Sequence, residues 1–506
     1  MISWVKDKVF GVELNPIVVK ELRQSVRSWS VVGVMLLFLI ALFITIMAMI
    51  GWSSVSMNLT RPVGRDVLQV VLGILIFTSM LFIPIYVGVR ISGERQAHNI
   101  DLLYISTLTP ARIIRGKLLS GSYVAFLFFS VCTPFLFFSN LLRGVDLPTI
   151  CIALAWSFML VIAAIQVAIF LACLPVTKGF KSLLALGALI FAFPMTVGFT
   201  SMVFELFTRG IGSTIGTYRF WEMFASGAIV LLLGLGFLHV LSISMISAPT
   251  ANRALPVRVY VTVAWFLSAI LAGYMFFIHS DDDAIEVWRA VFVAGSIVGF
   301  ICAVSERDQQ SLRVRRAIPE NMFKRLFAFI FYSGSSGGLV WAITGAALTL
   351  ILSHQMLIWI PKLAGTATVS GLLGDGDAWG IILAMLNYGL AYSLLGMLVH
   401  RWFFPHRGHM LAGVFAVALP AAWVIVPTFI LFFVNNFSTD FLKRKQLGNP
   451  LNLFSGSADI YWRAHLTCAL IMVGIALVLN FRRLLRGWLE FQPLPKDEEP
   501  AAEAAK

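Results

Sequence analysis

Twelve long apolar runs constrain the fold of this 506-residue chain more than any other feature. Each run has about 20 residues and almost no charge, which is the length that an α-helix needs to cross the hydrocarbon core of a bilayer. The chain is 59% hydrophobic and only 12% charged, which excludes a water-soluble domain. The runs cover residues 31–52, 67–89, 118–142, 149–174, 182–204, 224–247, 259–280, 287–305, 339–360, 378–399, 410–436 and 463–480.

Helices are the spanning form that these runs favour. Lipid offers no hydrogen-bond partners to the backbone, so a spanning segment has to satisfy its own N–H and C=O groups. Strands of a membrane barrel would be half as long and would alternate polar with apolar residues, and the runs do neither. The sequence therefore predicts an all-α polytopic membrane protein with about 12 transmembrane helices.

The net charge of +13 is distributed unevenly between the two sides of the predicted membrane. With the first residue in the cytoplasm, the cytoplasmic segments hold 27 of the 38 Lys and Arg residues. This bias follows the positive-inside rule and predicts that both termini are cytoplasmic. We expect the excess charge to face anionic lipid headgroups rather than a nucleic acid.

The runs divide into two sets of six, which predicts two halves in parallel orientation, residues 31–252 and 259–490. In each half a charged loop that opens with Glu-Arg follows the second run. These loops cover residues 90–117 and 306–325. The polar tail, residues 491–506, has the composition of a disordered segment.

Residues 1–30 precede the first run and predict an amphipathic helix in the membrane interface. Asn15 suits the N-cap and Pro16 the first helical position. One face of this helix carries the apolar residues Val18, Leu22, Val26 and Trp29. The charged residues Lys20, Glu21, Arg23 and Arg27 fall elsewhere around it. This helix has two possible roles: it anchors and orients the first span, or it acts as a lever that joins the membrane domain to a cytoplasmic partner.

Motifs for chemistry within this chain are absent from the sequence. There is no phosphate-binding loop, no hydrolase or metalloprotease motif, and no spacing typical of metal ligands. The five cysteines all fall within predicted spans. No Asp, Glu, Lys or Arg lies at the centre of a span, where a proton-driven carrier normally places one. We therefore expect a protein that is not an enzyme, holds no metal, and uses His239 for packing.

The loop 90–117 holds seven charged side chains, too many to be buried in lipid: Arg90, Glu94, Arg95, Asp101, Arg112, Arg115 and Lys117. The segment NIDLLYIS reads as one short helix and TPARIIRGKLL as the start of a second. Thr109 is the candidate cap of the second helix, with Pro110 at its first position. Two short helices that project into the cytoplasm would form a docking surface.

The uncharged run 326–361 is too long for a single crossing. Its Gly- and Ser-rich interruption at 333–338 predicts an interfacial helix, then a break, then the ninth span.

Three motifs together resemble the permease subunit of an ATP-binding cassette (ABC) transporter of the type-2 export class. They are NPIVVKELR before the first run, ISGERQ followed by IDLL after the second, and LTPARIIRGKLL before the third. The resemblance implies that residues 1–30 form a connecting helix and that the loop 90–117 docks on a separate ATP-binding subunit. The coupling residues that it implies are Glu94, Arg95, Asp101, Pro110, Arg112, Gly116 and Lys117. The chain departs from the family pattern at His98 and Asn99, where the family usually has Gly-Thr.

In the second half the resemblance is confined to a degenerate loop with Glu306, Arg307, Arg313 and Pro319. The family implies a dimer of ATP-binding subunits, with ATP and Mg²⁺ bound there and no cofactor in this chain. It also implies a bacterial inner membrane, and it leaves open whether a second permease chain joins the complex. A secondary carrier, a lipid scramblase, and a membrane anchor or assembly factor are the alternatives, and the sequence does not identify a substrate.

Overall fold

The structure, a computed structural model, describes residues 16–55, 63–96, 109–142, 145–174, 216–279, 282–364, 376–434, 446–454 and 458–494, with isolated positions between 179 and 201. These residues form helices and no strand. The helices are α1 (Pro16–Val26), α2 (Trp29–Val55), α3 (Val63–Gln96), α4 (Pro110–Leu141), α5 (Leu147–Cys173), α6 (Tyr218–Ile246), α7 (Ala254–His279), α8 (Asp283–Val304), α9 (Leu312–Arg316), α10 (Met322–Phe331), α11 (Ser335–Ala364), α12 (Gly376–Phe403), α13 (Met410–Val434) and α14 (Ala458–Leu489).

Eleven of the described helices are long and apolar enough to cross a membrane. They coincide with eleven of the twelve predicted runs, so the prediction of an all-α polytopic membrane protein is confirmed. Of the remaining run, 182–204, the structure describes only scattered positions. Residues 495–506, most of the predicted tail, lie outside them as well.

The chain divides into two compact units, Met1–Ala248 and Pro249–Lys506. In the first unit α3 packs against both α4 and α5, and α1 packs against α4. Apolar side chains that alternate along these helices at helical spacing fill the core between them, as with Leu75, Ile83 and Phe128, each fully buried. Rings of Phe38 and Phe82 lie 5.5 and 6.0 Å from that of Phe128.

In the second unit α12 packs against α13 and α14, and α8 packs against α11. The break predicted between α10 and α11 is present, because α10 ends at Phe331 and α11 begins at Ser335. Gly334 within this break has φ +151°, a backbone conformation open to glycine and costly for other residues. The Gly- and Ser-rich interruption thus separates α10 from α11, although α11 already begins at Ser335 within it.

The charged loop of the first half is shorter than predicted. Glu94 and Arg95 belong to the last turn of α3, and the helix that begins at Pro110 continues without a break as α4 to Leu141. Thr109 is its N-cap, and the Thr109 hydroxyl accepts from the N–H of Arg112 at 3.4 Å. The prediction of a separate second helix was therefore wrong, because the apolar residues that follow Pro110 carry the helix directly into the third span. The segment 97–108, with the first predicted helix and Asp101, lies outside the described residues.

Helix α1 begins at Pro16 as predicted, while Asn15 lies outside the described residues. Of the residues predicted for its apolar face, Val18 is buried against the protein, and Val26 and Trp29 are 60% and 89% exposed on its surface. The side that packs on the protein also includes Glu21 and Ser25, each 4% exposed. A charged side chain therefore faces the helices of the first unit.

Candidate functional site

Glu21 lies at the centre of a charged cluster where α1 meets α3 and α4. Its Oε1 accepts a hydrogen bond from Lys117 Nζ at 2.5 Å. Its Oε2 lies 3.6 Å from Arg90 Nη2. The same guanidinium donates to Gln24 Oε1 and, at 2.6 Å, to the Tyr86 hydroxyl. We call Glu21, Gln24, Tyr86, Arg90 and Lys117 the Glu21 cluster.

The ion pair within the Glu21 cluster is buried. The side chains of Glu21 and Lys117 are 5% and 6% exposed, and that of Arg90 is 24% exposed. Coulombic attraction increases when water is excluded, but each ion also loses hydration on burial. Such a pair adds little net stability over apolar side chains, whereas removal of one partner leaves an uncompensated buried charge. The cluster therefore links α1 to both α3 and α4.

Small residues allow the helices to approach each other next to this cluster. Ser25, Ser120 and Gly121 line the same cavity as Glu21. A Cβ atom added to Gly121 would lie 3.0 Å from Ile165 Cγ2 and 3.1 Å from Val87 Cγ2. The close packing of α3, α4 and α5 at this level depends on the absence of a side chain there.

The other coupling residues of the first half have different environments. Pro110 is half-buried, Arg112 is exposed, and Gly116 is buried. Lys20 and Arg23 are exposed on α1. The structure describes the backbone of Glu94 and Arg95 in the last turn of α3, and their side chains lie outside what it describes.

A second charged cluster stands at the start of α11, in the second unit. Arg258 Nη2 donates to Glu306 Oε1 and Oε2 at 2.7 and 2.6 Å, and Arg258 Nη1 donates to the carbonyl oxygens of Ile330 and Tyr332. Glu306 Oε2 also accepts from the N–H of Gly334 at 2.6 Å. Arg258 thus ties the first turn of α7 to the loop after α8 and to the end of α10.

Asp308 completes this second cluster. Its Oδ1 accepts from the N–H and hydroxyl of Ser335 at 2.9 and 2.5 Å, and its Oδ2 accepts from Arg483 Nε and Nη2, both at 3.1 Å. Glu306 and Asp308 therefore place two carboxylates at the N-terminus of α11, where the helix dipole favours negative charge. The sequence indicated Glu306 but not Asp308, Arg258 or Arg483, whose partners are distant in the chain.

The pKa directions in this cluster follow from burial and neighbouring charge. Burial raises the pKa of the Glu306 carboxyl, and Arg258 and the Gly334 N–H oppose that rise. Burial and the nearby Arg483 lower the pKa of His409, and Asp308 opposes that shift.

The remaining predicted residues of this loop, Arg307, Arg313 and Pro319, lie outside these contacts. Arg307 and Arg313 are exposed, and Pro319 is half-buried. Glu306 and Asp308 are thus engaged within the unit, while Arg307 and Arg313 are exposed.

Polar side chains within the spans form hydrogen bonds to one another. His239 Nδ1 lies 3.4 Å from Gln166 Oε1, and Gln166 Nε2 donates to Ser242 at 3.3 Å. This pairing fits the predicted packing role of His239. The sequence reasoning missed His465, which is 1% exposed and lies 3.1 Å from the Tyr388 hydroxyl. His465 lies within the last predicted run, 463–480, and its partner Tyr388 is 77 residues away in the chain.

Within the described residues, no group of three or more His, Cys, Asp or Glu side chains could hold a metal ion. Comparison of the chain with protein-family models, curated proteins and solved structures gives no match.

Proposed function

We propose that this chain is the permease subunit of an ABC-type exporter, with its coupling loop between α3 and α4. The observation that carries the proposal is the Glu21 cluster. Arg90 lies near the end of α3 and Lys117 near the start of α4, and both contact Glu21 on α1. The two ends of the loop are therefore held by the helix that the resemblance identifies as the connecting helix.

This arrangement supports a mechanical role for the loop. A force on residues 97–108 would act on α3, α4 and α1 together, because a buried ion pair resists separation. ATP binding closes the partner dimer, which favours one orientation of the loop and of the attached helices, and hydrolysis resets it. Glu94, Arg95, Asp101 and Arg112 are the side chains proposed to meet the ATP-binding subunit. This chain supplies the pathway and performs no covalent chemistry.

The test is a pull-down of the tagged full-length protein from native membranes, with Glu94→Ala and Arg95→Ala together against wild type. We expect wild type to retain a nucleotide-binding ATPase and the variant to lose it or to lose stimulation of its ATPase activity. The matched control is Arg65→Ala with Asp66→Ala, which removes one acidic and one basic side chain from the first turns of the same helix, α3. The control should retain the partner as wild type does.

A wild-type chain that purifies alone would overturn the proposal. If the protein in proteoliposomes then moved lipid or solute without ATP, the carrier or scramblase alternative would be favoured. If it moved neither, the membrane anchor or assembly factor would be favoured.

A further inference from the structure

Helices α9 and α10 occupy the segment between two spans of the second unit. Only residues 332–334 separate the end of α10 from α11, which is itself long and apolar enough to span a membrane. On the other side, α9 follows the end of α8 by seven residues, 305–311. Both short helices therefore lie near the level where these spans leave the membrane.

One face of α10 carries four large apolar side chains that do not pack on the unit. Met322, Phe323, Leu326 and Phe327 are 69%, 70%, 47% and 53% exposed. On another side of α10 the ring of Phe329 packs against Trp488 and Phe491, at 5.0 and 5.5 Å between centroids. The helix is thus attached to the end of α14 by one face and presents an apolar face outward.

The charge of this segment is strongly basic. Residues 311–331 hold five basic side chains, Arg313, Arg315, Arg316, Lys324 and Arg325, against one acidic side chain, Glu320. Val314 and Ile318 are buried and hold α9 on the unit, while Arg313 and Arg316 are exposed.

We propose that α9 and α10 form a binding site for the headgroups of anionic phospholipids. An outward apolar face beside a span is shielded from water when it enters the interface of the bilayer, as amphipathic basic helices do. The arginines of α9 then lie at headgroup level, where phosphate oxygens accept charge-assisted hydrogen bonds from guanidinium groups. Clusters of four to eight Lys and Arg next to a span favour anionic over zwitterionic lipid.

The first test is native mass spectrometry of the full-length protein with phosphatidylglycerol or phosphatidylcholine. We expect tighter retention of phosphatidylglycerol, weakened roughly tenfold by Arg313→Gln with Arg316→Gln, because each basic residue near an anionic surface adds to the attraction. The matched control, Arg401→Gln with Arg407→Gln, removes one exposed arginine from the last turn of α12 and one from the segment between α12 and α13. Equal loss in the control, or no preference between the two lipids, would overturn the site.

The second test measures hydrogen–deuterium exchange of the protein in nanodiscs. We expect the amides of α10 to exchange several-fold more slowly with phosphatidylglycerol in the nanodisc than with phosphatidylcholine alone. Phe323→Ser with Phe327→Ser should remove that difference in exchange. Because both rings are largely exposed on the protein, we expect their loss to leave the fold of the unit intact. Exchange in α10 that does not depend on the lipid would overturn the proposal and favour a protein partner on this face.

Discussion

At the scale of single residues, the burial of Glu21 is the least expected feature of this chain. Glutamate is almost never fully buried unless it is paired, and here Lys117 and Arg90 supply the pairing. Hydropathy placed Glu21 among the polar residues of α1, since an amphipathic helix has room for charge away from its apolar face. A contact across 96 residues, between Glu21 and Lys117, reverses that assignment.

Lys117→Met should be strongly destabilising because it leaves the Glu21 carboxylate buried and 3.6 Å from Arg90, without its 2.5 Å contact. The expected cost is about 3–5 kcal/mol, the range for loss of one partner of a buried pair. Glu21→Gln with Lys117→Met removes both charges and should recover much of that loss. Thermal unfolding of the three proteins in detergent measures the effect. Equal stability of the single variant and wild type would show that the pair is solvated.

At the scale of the helices, hydropathy and caps account for most of the boundaries. Thr109 and Pro110 start α4, Pro16 starts α1, and the Gly- and Ser-rich break separates α10 from α11. These signals are local, since a capping side chain or a proline acts within one turn of its own position. The extension of α3 to Gln96 was missed because charge was taken as the end of the helix.

Gly121→Val should disturb the contact of α4 with α3 and α5. The new Cβ would lie within 3.1 Å of side-chain atoms of Val87 and Ile165, which overpacks the site and costs about 1–3 kcal/mol. The matched control is Gly33→Val in α2, where a Cβ has no neighbour within 4 Å among the described residues. Detergent thermal stability should fall for the first variant and stay near wild type for the second. A similar loss of thermal stability in the two variants would show that a general effect of valine within a helix, and not overpacking at residue 121, is the cause.

At the scale of the whole molecule, the chain divides into two units, and the described residues of each include a charged cluster. The first unit buries its carboxylate on α1, and the second places Glu306 and Asp308 at the start of α11. Each cluster joins an early helix of its unit to the ends of the following spans. The charge bias along the chain predicts that these ends are cytoplasmic.

Reporter fusions test this topology and the run 182–204. A fluorescent reporter active only in the cytoplasm should be active when fused after Leu174 or Ala248, and a phosphatase active only outside it should be active after Thr217. The reason is that a crossing between residues 174 and 217 places the chain after it on the opposite side of the membrane. Cytoplasmic activity after Thr217 would remove the fifth span and reverse the predicted orientation of the second half.

The sequence by itself determined the helical membrane class, eleven described spans and the start of α1 and α4, because burial of a 20-residue apolar run and capping are local effects. Only the tertiary structure decided which charges are buried. Glu21, Arg258 and Asp308 resemble the neighbouring solvated charges in the sequence, yet their partners are 48 to 175 residues away. The apposition of distant helices sets the cost and the pairing of each charge, so neither can be read from hydropathy alone.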